Sequence, residues 1–161
     1  MRKIIISLLV SFSLVAAPAV SQAATQSAKR ALNEDQVVTL LNQIRSAHGL
    51  SDFTVSVPLR NSARFHSADM LAKGYFDHSS PTEAWDTRIS HYLKAPLIGE
   101  NIAWGQGSYG TPEGIVSQWM HSATHRAIIL TAGLHRIGLG LATGSFQGSA
   151  GAVMATADFA S

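Results

Sequence analysis

The chain has 161 residues, with 12 Lys and Arg against 10 Asp and Glu and no cysteine. Without cysteine it has no disulfide, no thiol nucleophile and no thiolate zinc site. No cluster of Lys and Arg interleaved with aromatics occurs, and once Arg2 and Lys3 are set aside the charge is about zero, which argues against nucleic acid as a partner.

The chain opens on Met1-Arg2-Lys3, runs apolar from Ile4 to Val15 and reaches Ser21-Gln22-Ala23-Ala24. A charged start, a short apolar core and a small-x-small exit form a Sec-type signal peptide over residues 1–23, with cleavage expected after Ala23. The signal implies export, periplasmic or extracellular. No later segment is apolar enough to span a bilayer. About 138 residues remain, enough for one domain with a real core.

Residues 24–32 are small and polar and are expected to form a flexible mature N-terminus, with the domain covering 33–161. Asn33 is the expected N-cap of a first helix, with Glu34 as a helix-start acid. Val37, Leu40, Leu41 and Ile44 follow helical spacing, and Gly49 stops it. Pro58 suits the first turn of a second helix ending at Gly74, on which Leu59, Ala63, His66 and Met70 share a face. Ser80-Pro81-Thr82-Glu83 has the form of a capping box opening a short helix through Trp85, Ile89 and Leu93.

Residues 97–104 read as a strand. Alternation puts Glu100, Ile102 and Trp104 on one face and Asn101 and Ala103 on the other. Thr111-Pro112 opens a further helix with Ile115, Val116, Trp119 and Met120 apolar. Residues 135–143 alternate Ile137, Leu139 and Leu141 with Gly138 and Gly140, as suits a strand approached closely by a helix or backbone. A turn over 144–148 leads to a last strand over 150–159. Helices come first and two strands lie together at the end, which predicts an α+β fold with an antiparallel sheet.

The polar residues that carry chemistry sit at the ends of apolar elements. His78, Glu100 and His125 supply two imidazoles and one carboxylate, a set that suits a divalent ion such as zinc or a hydrogen-bonded polar cleft. His66 is a further candidate. His121 and His125 have helical spacing, but Ser122 stands where a zincin needs its general base, so that class is rejected. No Gly-x-Ser-x-Gly elbow occurs, and no catalytic residue is assigned.

These residues stand in several ordered motifs. They are Ala63 to Met70, Gly74-Tyr75-Phe76-Asp77-His78-Ser79, Gly99-Glu100-Asn101-Ile102-Ala103-Trp104, Trp119 to Leu130, and Ile137-Gly138-Leu139-Gly140 with Thr156-Ala157-Asp158-Phe159. With them the chain resembles the bacterial type of the CAP superfamily (SCP/TAPS; cysteine-rich secretory, antigen 5 and pathogenesis-related-1 proteins) from about Leu40 to Phe159. The resemblance implies an α-β-α sandwich with a central antiparallel sheet between helical layers. It also implies an open cleft of two histidines and two acids that in some members binds zinc. His78 and His125 match the histidines and Glu100 one acid. Ser122 stands where the other acid belongs, and His66 lies where it could compensate.

The function expected is a secreted module that binds a small ligand, a lipid or an envelope component, with a divalent metal as the one candidate cofactor. The alternatives are a metal-dependent hydrolase of peptide, ester or cell-wall substrates and a structural envelope protein with a vestigial cleft.

Overall fold

A computed structural model describes residues 19–161. The signal-peptide reading falls largely outside the described residues. The helices are α1 (Ala19–Ala47), α2 (Val57–Lys73), α3 (Trp85–Tyr92), α4 (Pro112–His121) and α5 (Ala123–Ile129). The strands are β1 (Thr54–Val55), β2 (Ile98–Gly105), β3 (Arg136–Phe146) and β4 (Ser149–Ala160), ordered β1-β3-β4-β2 in one sheet.

The α+β sandwich expected from the sequence is the observed architecture, with one difference. β2, β3 and β4 pair antiparallel, but β1 runs parallel to β3, so the sheet is mixed. Two residues are too few for a hydrophobic pattern to announce them. Alternation along the strands feeds two layers. Leu139, Ala155, Ala157 and Phe159 pack with Val37, Leu41, Ile115, Trp119 and Ile129 on the α1/α4/α5 side. Ile102 and Met154 pack with Met70 of α2, and Ala160 packs with Leu59 and Ile89, on the other side. The Trp119 indole N–H donates to the Ile102 carbonyl at 3.0 Å, which satisfies its one polar group inside the core.

Several element ends differ from the sequence reading. α1 is already helical at Ala19, so Asn33 lies within the helix and residues 24–32 are helical. Glu34 is not a solvated helix-start acid. It is fully buried, accepts from Arg64 Nε at 3.0 Å and from the Leu141 backbone N–H at 3.1 Å, and ties α1 to α2 and to β3. Ser80 to Glu83 closes on itself by backbone hydrogen bonds, and α3 starts after it at Trp85. Ser79 Oγ, not Ser80, accepts from the Trp85 N–H, at 3.3 Å. β3 runs on to Phe146, which leaves Gln147-Gly148 as the turn, both at positive φ.

The close approach expected at Gly138 and Gly140 is made by α2. A Cβ on Gly138 would fall inside the backbone of Leu59 and Arg60, and one on Gly140 inside that of Ala63 and Arg64. Gly140→Ala is therefore expected to cost on the order of 1–3 kcal/mol through overpacking, read as a lowered midpoint in urea. A midpoint equal to that of the parent chain would refute this helix-on-strand contact.

Candidate functional site

Strand pairing builds the centre of the site. Glu100 on β2 lies directly opposite Asp158 on β4, so both carboxyls leave the same face of the sheet. Both are buried. Like charges in that position repel, and a cation must sit between them. Arg88 of α3, itself 3% exposed, supplies it. Its guanidinium forms a short ion pair with Glu100 Oε2, lies 3.4 Å from Asp158 Oδ1 and donates to the His78 carbonyl at 3.1 Å. Burial, followed by the neighbouring Glu100 charge, pushes the Asp158 carboxyl well above the usual carboxylate range.

His78 stands at the rim. Its Nδ1–H donates to Glu100 Oε1 at 2.7 Å, and its side chain is 45% exposed while that of Glu100 is 1% exposed. That hydrogen bond raises the His78 imidazole above its ordinary pKa, against the partial burial that lowers it. Next to the pair opens a cavity of about 340 Å³, walled by Trp85, Leu97, Ile98, Ile128 and Leu134 as well as His78 and Glu100. The lining thus combines a hydrogen-bonded polar pair with apolar side chains.

The other candidates occupy different places. His125 on α5 does not line this cavity. Burial, and then the charge of nearby His78, depresses its pKa. Its Nδ1 is buried with no hydrogen-bond partner among the described residues, and Asn101 Nδ2 donates to its carbonyl at 3.1 Å. His66 is fully buried on α2, where burial lowers its pKa. Its Nε2 lies 3.0 Å from the Asp77 carbonyl and so carries the proton. Ser122 joins α4 to α5, with its Oγ 3.2 Å from Thr124 Oγ1.

The donors as placed do not make up a three-ligand metal set. Glu100 has one oxygen on His78 and the other on Arg88, and a guanidinium cation already occupies the charge-balancing position. His66 Nε2 is committed to a carbonyl. Beside Glu100 the open donors are the second nitrogen of His78 and Nδ1 of His125, while Nδ1 of His66 faces Tyr75 Oη at 3.5 Å, so the three or four ligands that a protein zinc site uses are not brought together. Among the described residues no group of three or more His, Asp or Glu is arranged to hold an ion.

Sequence reasoning missed Arg88 and Asp158 as site residues. Each carried a signal. Arg88 falls three residues after Trp85 and beside Ile89, on the buried stripe of a short helix. Asp158 alternates with Met154, Thr156 and Ala160 on the inner face of β4. A charge on an apolar stripe calls for a buried partner.

The family model of the cysteine-rich secretory protein family (CAP) matches residues 38–159. The Bacillus subtilis (strain 168) protein YkwD is 42% identical over 109 residues, which is 66% of this chain and 41% of YkwD. Among solved structures, an extracellular protein containing a SCP domain from Bacillus anthracis str. Ames is similar at a TM-score of 0.69 and 28% identity, over 81% of this chain and 41% of that one. An outer surface protein from Borrelia burgdorferi is similar at a TM-score of 0.68 and 15% identity, over 79% of this chain and 90% of that one, and supports the fold alone. The chain thus spans about two fifths of the length of the two Bacillus relatives.

Proposed function

The chain belongs to the CAP family, the cysteine-rich secretory protein family, and from that premise we propose that it is an exported binding module whose cleft takes a small ligand or a component of the cell envelope. The observation that carries this reading is the cavity beside the His78–Glu100 pair, whose lining joins a fixed hydrogen-bonding group to apolar side chains. Such a site is suited to an amphiphilic molecule, whose polar end meets the rim imidazole and whose apolar part lies over Trp85, Leu97 and Ile128.

Glu100 is poorly placed to act as a general base. Both its oxygens already accept hydrogen bonds, one of them from a guanidinium. A free base needs a lone pair open to the substrate or to one water. Export is supported by the N-terminal signal pattern and by the similarity to an extracellular SCP-domain protein. No helix among the described residues is long and apolar enough to cross a membrane.

Mass spectrometry of small molecules co-purifying with untagged protein identifies the ligand, and that ligand is expected to raise the melting temperature of the parent chain but not of His78→Ala. Zinc titration is expected to show weak uptake, equal in the parent chain and in the His78→Ala/His125→Ala double variant. Saturable uptake lost in the double variant, together with chelator-sensitive turnover of peptide, ester or cell-wall substrates, would replace this reading with the metal-dependent hydrolase. A cell phenotype indifferent to substitutions at both His78 and Glu100 would replace it with the structural envelope protein.

A further inference from the structure

We propose that His66 is a positioning residue for the cleft: through the Asp77 carbonyl it holds the loop that aims His78 at Glu100. The inference rests on reading the His78–Glu100 pair as the functional centre, and it concerns how that pair is assembled, not what it binds.

A fully buried imidazole on an apolar helix face must find an acceptor for its N–H locally. On α2, His66 shares its face with Leu59, Ala63 and Met70, all buried against the sheet. Its Nε2–H reaches out of that face to the Asp77 carbonyl, 3.0 Å away and one residue before His78. Its Nδ1 lies 3.5 Å from Tyr75 Oη, and that hydroxyl donates to Asp69 Oδ2 at 2.7 Å. Lys73 Nζ closes the chain on Asp69 at 2.8 Å. His66, Tyr75 and Asp69 therefore bind the loop after α2 back onto the helix it has just left.

The result is two consecutive carbonyls held from different elements. Asp77 O accepts from His66 of α2, and His78 O accepts from Arg88 of α3. Ser79 N–H adds a local turn by donating to Asp77 Oδ1 at 3.0 Å. With the main chain pinned on both sides, the His78 ring has little freedom to leave Glu100. A loop histidine without these ties would lose backbone entropy as well each time it made that bond.

The test is ring-nitrogen NMR on the full chain, without any ligand. In the parent protein, long-range proton–nitrogen correlation is expected to show the His66 proton on Nε2 and a hydrogen-bonded Nδ1–H on His78. His66→Met, of similar length without a donor, is expected to speed solvent exchange of the His78 Nδ1–H on the order of tenfold, the worth of about one hydrogen bond. His66→Gln, whose amide N–H can reach the Asp77 carbonyl, is expected to restore most of that protection. Unchanged exchange in His66→Met, or a Gln variant no better than Met, overturns the proposal. If neither variant folds, the parent spectrum decides it, because a proton on His66 Nδ1 is incompatible with donation to Asp77. Failure to find a cleft ligand would leave this result standing, and the reverse holds too.

Discussion

Replacing Arg88 with Met is expected to remove roughly 3–5 kcal/mol of stability at neutral pH, the cost of leaving a buried charge without its partner. Among the described residues, Arg88 is the one guanidinium paired with both Glu100 and Asp158, two carboxyls directly opposed across the β2–β4 ladder. The residue also holds the His78 carbonyl, so the loop at the rim loses an anchor together with the charge.

The deficit should depend on pH in a defined direction. The Asp158 carboxyl is raised in the fold by burial, so the folded state holds a proton that the unfolded chain releases. Such a group stabilises fully below its unfolded pKa and loses that contribution as pH rises through the folded value. Removing Arg88 takes away the cation that opposes this trend. The variant should therefore be weakest at neutral and alkaline pH and move toward the parent in acid, where buried carboxyls are neutral. The histidines near Arg88 add to this trend: besides burial at His66 and the Glu100 hydrogen bond at His78, the Arg88 charge lowers both imidazoles, so removing it lets them keep their protons to higher pH and favours recovery in acid. Urea denaturation of both proteins across the pH range checks this, and adding Glu100→Gln to the variant should recover part of the loss. A deficit that grows in acid, or a double variant no better than the single, would show that Arg88 acts through packing alone.

The second large effect is expected at Arg45. This side chain is fully buried near the C-terminal end of α1 and faces no carboxylate at hydrogen-bond distance among the described residues. Its Nε donates to the Ser51 carbonyl at 2.7 Å, and its terminal nitrogens donate to the carbonyls of Ile129 at 2.7 Å, Thr131 at 3.2 Å and Leu134 at 3.1 Å. The guanidinium lies 3.9 Å from the centre of the Phe53 ring. Ile129 ends α5, so Arg45 places a positive charge where orphan carbonyls and the helix dipole favour one. Arg45→Met would strand up to four acceptors and is expected to cost roughly 3–5 kcal/mol. Arg45→Lys keeps the charge but lacks the fork, and should recover less than half of that. Urea midpoints decide it, and a Met variant within about 1 kcal/mol of the parent would refute the assignment. Since α5 carries Ile128, which lines the cavity, an Arg45 variant that still folds should also disorder that side of the cleft.

The helical and strand periods of this chain expose most of its skeleton. Ile137, Leu139 and Leu141 alternating with two glycines marked a strand under a helix, and Leu59, Ala63, His66 and Met70 marked the helix face that lies on it. Two other features were hidden for physical reasons. A two-residue strand such as β1 has no period. The capping-box pattern at Ser80 competes with a closed turn that the same residues can make, and the turn won. At the site, His78 and Glu100 were legible as a pair of chemically apt groups near element ends, and they meet at 2.7 Å. Arg88 was missed although it stands beside Ile89 on a short helix, because the acids it pairs with, Glu100 and Asp158, come from distant strands. Arg45 was hidden more deeply still, since all its hydrogen-bond partners are main-chain oxygens, which leave no mark in a sequence.

Where α2 lies on Gly138 and Gly140, its main chain comes up against the main chain of β3. That contact lies apart from the residues that line the hollow. Exchanging Trp85, Leu97 or Thr131, which line it, would alter its size and polarity while the α2–β3 contact stays in place. A lineage carrying this scaffold can retune its selectivity one rim residue at a time, without renegotiating the architecture beneath.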